Sequence, residues 1–232
     1  MGKDVIIACD FADKQACLNF LDQFTEKKPF VKIGMELFYA EGPEMVRELK
    51  ARGHKIFLDL KLHDIPNTVE KAMAVLSRLD VDMCNVHAAG TAAMMEAALR
   101  GLTRPDGTRP LLIAVTQLTS TSQERMERDL LIPHPLEEVV GHYARTARDA
   151  GLDGVVCSPW EAGRVHEHCG AEFLTVTPGV RFADGELGDQ ARVATPEKAR
   201  ELGSDFIVVG RPITQAPDPV ESYQRCKQAF LA

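Results

Sequence analysis

A rhythm constrains this chain more than any single motif: a short β-branched apolar run recurs eight times, and a segment with helical spacing follows each run. The runs are VIIA from Val5, FVKIG from Phe30, KIFLDL from Lys55, MCNVH from Met83, LLIAVT from Leu111, GVVCS from Gly154, FLTVT from Phe173 and FIVVG from Phe206. They are continuously apolar rather than alternating, as strands covered on both faces of a parallel sheet must be. Between them apolar residues return every three or four positions, clearly in Ala16 to Phe24, Pro43 to Leu49, Val69 to Leu79, Met94 to Leu102 and Val139 to Ala147. The same spacing is fainter in Glu161 to His168, Pro196 to Leu202 and Pro219 to Phe230. Eight βα units within residues 1–232 close most naturally into a single-domain (β/α)8 TIM barrel, because such barrels run to roughly 200–250 residues. An open doubly wound sheet is the competing arrangement.

Composition narrows the function. A net charge of -7 speaks against a nucleic-acid binder, which needs an excess of Lys and Arg on one face. An anionic metabolite remains open if its cations are local. The opening MGKDVIIACDFADKQ has too short an apolar run for a signal peptide, and no stretch reaches the roughly 18 apolar residues of a membrane span. A cytoplasmic protein is expected, with no membrane partner. Cys9, Cys17, Cys84, Cys157, Cys169 and Cys226 form no CxxC pair and read as structural thiols.

A barrel enzyme carries its chemistry where strands end and βα loops begin, so the polar residues there are the candidates. They are Asp10, Lys32, Asp59, Lys61, Asp64, His87, Thr116 to Ser120, Ser158, Pro178 to Arg181, Gly210 and Arg211. In DLKLHD, Asp59 and Lys61 stand two apart at the end of a strand and therefore share a face, while Leu58 and Leu60 turn to the helices. Inward charges are costly unless they pair, and here a carboxylate and an ammonium can. A lone DxK is more often a structural ion pair. Its coincidence with Asp10 and Lys32 on neighbouring strands points instead to an active site.

The motif DLKLHDIPNT resembles the DxKxxD signature of the orotidine 5'-monophosphate decarboxylase family. The likeness extends through CDF, VKIGMELF, VTQLTS, TPGVR and VVGRPIT, and so over almost the whole chain. The resemblance implies conversion of orotidine 5'-monophosphate (OMP) to UMP and CO2 in pyrimidine synthesis, without metal or organic cofactor. It further implies that Lys61 protonates C6 within a charged network of Lys32, Asp59, Lys61 and Asp64. Asp10 and Lys32 would hold ribose hydroxyls, Thr119 the pyrimidine edge, and Pro178 the base. Arg181, Gln190, Gly210 and Arg211 would bind or close over the phosphate. Asp64 and Thr68 would come from the partner subunit of a homodimer with shared sites.

The chemistry suits such a set, because loss of CO2 leaves a carbanion that only fixed charge and a nearby acid can stabilise. Gly210 permits close backbone approach and Arg211 offers planar bidentate donors to a phosphate. The polar segment from Arg181 to Gln190 reads as a lid. His166, His168 and Cys169 read as surface helix residues rather than a metal site, His63 as structural, His87 as a support residue, and Trp160 as helix packing. Two other functions compete: a Mg-dependent sugar-phosphate decarboxylase or hexulose-phosphate synthase, and a silent nucleotide-binding barrel. Lys32 counts against the first, because a cation at that place repels a metal. The intact Lys61, Asp59 and Asp64 count against the second.

Overall fold

The structure is a computed structural model and describes residues 2–183 and 193–232. Eight parallel strands follow one another around a closed barrel: β1 (Asp4–Ala8), β2 (Phe30–Gly34), β3 (Ile56–Leu62), β4 (Met83–His87), β5 (Leu111–Val115), β6 (Gly154–Val156), β7 (Leu174–Thr177) and β8 (Phe206–Val209). Closure is made by β1 on β8, where Asp4 lies beside Phe206 and Ile7 beside Val209. The open doubly wound sheet is thereby excluded.

Around the strands lie α1 (Lys14–Leu21), α2 (Met35–Glu41), α3 (Pro43–Ala51), α4 (Pro66–Leu76), α5 (Thr91–Leu102), α6 (Gln123–Leu130), α7 (Leu136–Asp149), α8 (Ala162–Cys169), α9 (Pro196–Glu201), α10 (Arg211–Thr214) and α11 (Pro219–Leu231). Their starts follow local chemistry. Asp13, Ser122, Thr195 and Asp218 accept a hydrogen bond from a first-turn N–H, and proline opens α3, α4, α9 and α11, where its missing N–H costs nothing. Among the described residues no helix is long and apolar enough to cross a membrane.

The pleat divides the apolar residues into two cores. Val5, Ile7, Val31, Ile33, Leu58 and Leu60 pack outward against the helices. Ile6, Phe30, Phe57, Met83, Ile113, Val176 and Phe206 fill the barrel, with the Phe30 and Phe206 rings edge to face at 6.2 Å between centroids. This plug matters for function. Lys32 and Asp59 follow Phe30 and Phe57 by two residues on the same strands, so the charges stand one layer above a dry floor.

The opposite end of the barrel is tied by a repeated device. Asp82, Asp153 and Asp205 each lie just before an even-numbered strand and reach back to the strand before it. Asp82 Oδ2 accepts from the Ile56 N–H at 2.8 Å and from Lys50 Nζ at 3.0 Å. Asp153 Oδ2 accepts from the Leu112 N–H at 2.7 Å, and its Oδ1 accepts from Arg109 Nη2 at 2.8 Å. Asp205 Oδ2 accepts from the Thr175 N–H at 2.8 Å and meets His166 Nε2 at 3.0 Å. His166 is therefore part of this girdle rather than a simple surface residue. Trp160 also departs from its expected packing role: it is 52% exposed and its indole N–H donates to the Val193 carbonyl at 3.2 Å.

Asp153→Ala should leave Arg109 and a strand N–H without their acceptor. The expected loss is about 2 kcal/mol, or a melting temperature lower by roughly 4–8 °C for a chain of this length. Thermal unfolding checks this, and the chemistry at the other end of the barrel should be unchanged. A variant melting with the wild type would show that the girdle is not what ties the strands.

Candidate active site

A cavity of about 590 Å³ opens at the C-terminal ends of the strands. Asp10, Lys32, Asp59 and Lys61 form one side, Gln117 to Ser120 line the β5 end, and Pro178, Gly179, Arg181, Gly210 and Arg211 lie at the ends of β7 and β8. Ala8, Phe57, Val115, Val156 and Val208 also line it. The sequence therefore placed its candidates from strands one, two, three, five, seven and eight at a common mouth.

Asp59 is the centre of the charged array. Its Oδ1 lies 2.7 Å from Lys61 Nζ, and its Oδ2 lies 3.2 Å from Lys32 Nζ. Lys32 Nζ also donates to Asp10 Oδ1 at 3.0 Å. The run Asp10, Lys32, Asp59, Lys61 thus alternates in sign across three strands. Burial works to raise the Asp59 pKa, but Lys32 and then Lys61 outweigh it and hold the carboxyl below its ordinary range. Lys32 is the mirror case: burial works to lower its pKa, and Asp59 with Asp10 holds the ammonium above its ordinary value. Both are charged at neutral pH, inside the barrel, because each is the other's counterion.

Lys61 occupies an unusual backbone position. Its φ is +50°, in the left-handed region that non-glycine residues rarely enter. Such a residue costs on the order of 1–3 kcal/mol and persists only where its surroundings determine it. The pairing of β3 with β4 skips here: Leu58 lies beside Cys84, but Leu62 lies beside Val86. A bulge of this kind bends the strand and re-aims a side chain.

At the β7 end, Gly179 has a φ of +81°, which a side chain would strain. The turn lets Arg181 N–H donate to the Ala194 carbonyl at 3.0 Å and Ala194 N–H donate to the Gly179 carbonyl at 3.2 Å. Both ends of the segment between them are tied by this pairing. At Gly210, a Cβ would lie 3.5 Å from that of Ala8, an ordinary contact. The protein itself thus leaves room for a side chain there.

Comparison with known proteins shows the family. The sequence profile of the Orotidine 5'-phosphate decarboxylase / HUMPS family matches residues 3–226. The chain belongs to that family. An orotidine 5'-phosphate decarboxylase from Bacillus cytotoxicus is 57% identical over 233 aligned residues, covering 99% of this chain and 98% of the relative. The crystal structure of orotidine 5'-phosphate decarboxylase from Lactobacillus acidophilus superposes with a TM-score of 0.89 at 41% identity, covering 99% of this chain and 100% of the other. An uncharacterised conserved protein from Geobacillus kaustophilus gives 0.87 at 50% identity over 97% and 99% of the two chains.

Two expected site residues, those the resemblance assigns to a partner subunit, stand apart from the cavity of their own chain. Asp64 is exposed, and its Oδ1 accepts from the Ile65 N–H at 2.6 Å. Thr68, on the first turn of α4, is also exposed and outside the lining. Gln190, and the lid reading from residue 184 onward, lie outside the described residues. Sequence reasoning missed Asn85, which is buried among these charges. Its neighbours in MCNVH are apolar, and the only signal was a polar residue in the middle of a core strand. His63, read as structural, and His87, read as a support residue, lie with ring centroids 5.7 Å apart and their planes tilted by 37°. Burial, then His63 and Lys61, lowers the His87 pKa.

The shift of Asp59 makes a pH prediction. A carboxyl held below its unfolded value contributes stability above roughly pH 4 and loses it as pH falls through the folded value. Asp59→Asn should therefore be less stable than wild type by about 3 kcal/mol near neutrality, with the gap closing only below about pH 4. Urea unfolding of both proteins across pH measures it. A gap that stays open in acid would assign the loss to shape rather than charge.

Proposed function

We propose that this chain decarboxylates OMP to UMP and CO2 in pyrimidine synthesis, with Lys61 as the proton donor. The observation that carries the reading is the Lys61 ammonium 2.7 Å from a buried carboxylate at the mouth of a closed barrel. When the C6 carboxylate leaves as CO2, its bonding electron pair stays on C6. Lys61 stabilises that charge as a cation and then transfers a proton to C6, forming the C–H bond of UMP. The neutral amine is reprotonated from solvent. Asp59 keeps the donor charged and aimed. Asp10 and Lys32 suit ribose hydroxyls, Thr119 the pyrimidine edge, and Pro178 the base. Arg181, Gly210 and Arg211, with Gln190, suit the phosphate, since a planar guanidinium can donate two parallel N–H bonds to a pair of its oxygens.

The family includes a second branch, so membership alone does not choose the activity. Lys32 favours decarboxylation of OMP. It fills the strand position where a Mg²⁺ site would need an acid, and the relatives named above as decarboxylases are 41–57% identical.

The same reading makes the active unit a homodimer with shared sites. Asp64 and Thr68 are exposed and outside the lining of their own cavity, and Ile65 between them is 66% exposed, an apolar side chain suited to burial against a second copy. The cysteines of the described residues are all free, as suits a cytoplasmic enzyme.

Decarboxylation is followed by the fall in absorbance as orotate becomes uracil. Lys61→Ala and Asp64→Ala should each lose at least a hundredfold, the usual contribution of a general acid or its partner. Mixed and allowed to exchange subunits, they should recover about a quarter of wild-type activity, because a hybrid dimer has one site with both lesions and one with neither. No recovery despite proven exchange would put Asp64 in its own chain's site. Wild-type protein inert toward OMP would overturn the reading itself.

A further inference from the structure

We propose that Asn85 is the positioning residue of this site, holding Asp59 and the backbone of Lys61 in one fixed relation. The inference rests on the proposed decarboxylation. Asn85 stands in the middle of β4, is 1% exposed, and lies opposite the bulge in β3. Its Oδ1 accepts from the Lys61 N–H at 2.8 Å, and its Nδ2 donates to Asp59 Oδ1 at 2.7 Å. Asp59 Oδ1 is the same atom that Lys61 Nζ approaches. One amide therefore closes a ring that contains the proton donor, its counterion and the strained backbone between them.

An amide matches both needs. The Lys61 N–H needs an acceptor and the ionised Asp59 needs a donor, and asparagine supplies one of each from a single rigid group. The orientation of the amide is fixed by the same requirement. The left-handed turn at Lys61 takes its N–H out of the β3–β4 ladder, and Asn85 Oδ1 replaces the carbonyl that the ladder would have offered. An aliphatic residue of similar size would leave the Lys61 N–H without this acceptor and take one of three donors from Asp59.

Asn85 does not itself line the cavity, but it bonds two residues that do, so it acts through Asp59 and Lys61. Its hydrogen bond also helps hold the Asp59 carboxyl low, after Lys32 and Lys61. The other titratable groups facing the pair are Asp10, Lys32, His63 and His87. They are common to wild type and variant and cancel in the comparison.

The test is the pH dependence of kcat and KM for OMP in Asn85→Ala and Asn85→Asp, with thermal unfolding of each. In Asn85→Ala, kcat should fall by about tenfold or more while KM changes less than about threefold, since a lost charge-assisted hydrogen bond acts on the donor's aim. The acid limb should move to higher pH as Asp59 loses a donor. In Asn85→Asp the introduced carboxyl can donate to Asp59 only when protonated, so kcat should fall with rising pH where wild type is flat. Folded variants with kcat within twofold and the wild-type profile would overturn the proposal. So would losses that track only the unfolded fraction, with the profile unmoved. If wild-type protein does not turn over OMP, the proposed activity fails instead. Carbon-detected NMR titration of Asp59 then decides, with an upward move expected in Asn85→Ala and no move counting against the role of Asn85.

Discussion

The buried carboxylate of Asp59 is the constraint on which the rest of this structure depends. It is 6% exposed and would be untenable alone, because an isolated ion in the barrel interior carries a large desolvation cost. Lys32 on one side and Lys61 on the other, with the Asn85 amide, occupy both of its oxygens. Lys32, itself buried, needs Asp59 in turn, while the partly exposed Lys61 is held in place by it. The array thus holds a charged amine at a fixed place at the mouth of the barrel.

The barrel supplies what that array needs. Parallel strands bring residues far apart in sequence to one height, and the plug of Phe30, Phe57 and Phe206 keeps the layer beneath dry. At the far end the aspartates before β4, β6 and β8 fasten neighbouring strands together. Stability and chemistry are in this way assigned to opposite ends of the same sheet, the usual division in this architecture.

Much of this was legible in the sequence, for physical reasons that differ by residue. Eight apolar runs gave eight strands because a strand buried on both faces has little freedom to be anything else. Lys32, Asp59 and Lys61 stood out because charges in such runs need a reason. The helices α2, α6 and α10 were not anticipated. In α2 only Leu37 is buried and in α6 only Met126, so neither carries an apolar stripe, and α10 is a single turn of four residues. The left-handed backbone of Lys61 could not be read either, since lysine has no preference for it. It is imposed by the bulge and by Asn85, a contact across strands that spacing along the chain does not encode. The aspartate girdle was hidden for the same reason.

If the Lys61 ammonium delivers a proton to C6, as proposed, the reverse of that step can be observed without decarboxylation. In D2O the wild-type enzyme should exchange the C6 hydrogen of UMP for deuterium, followed by the loss of the H6 signal in proton NMR. Removing the donor should stop it. Folded Lys61→Ala, with UMP still bound, should exchange at least a hundredfold more slowly; exchange at the wild-type rate would rule out Lys61 as the donor.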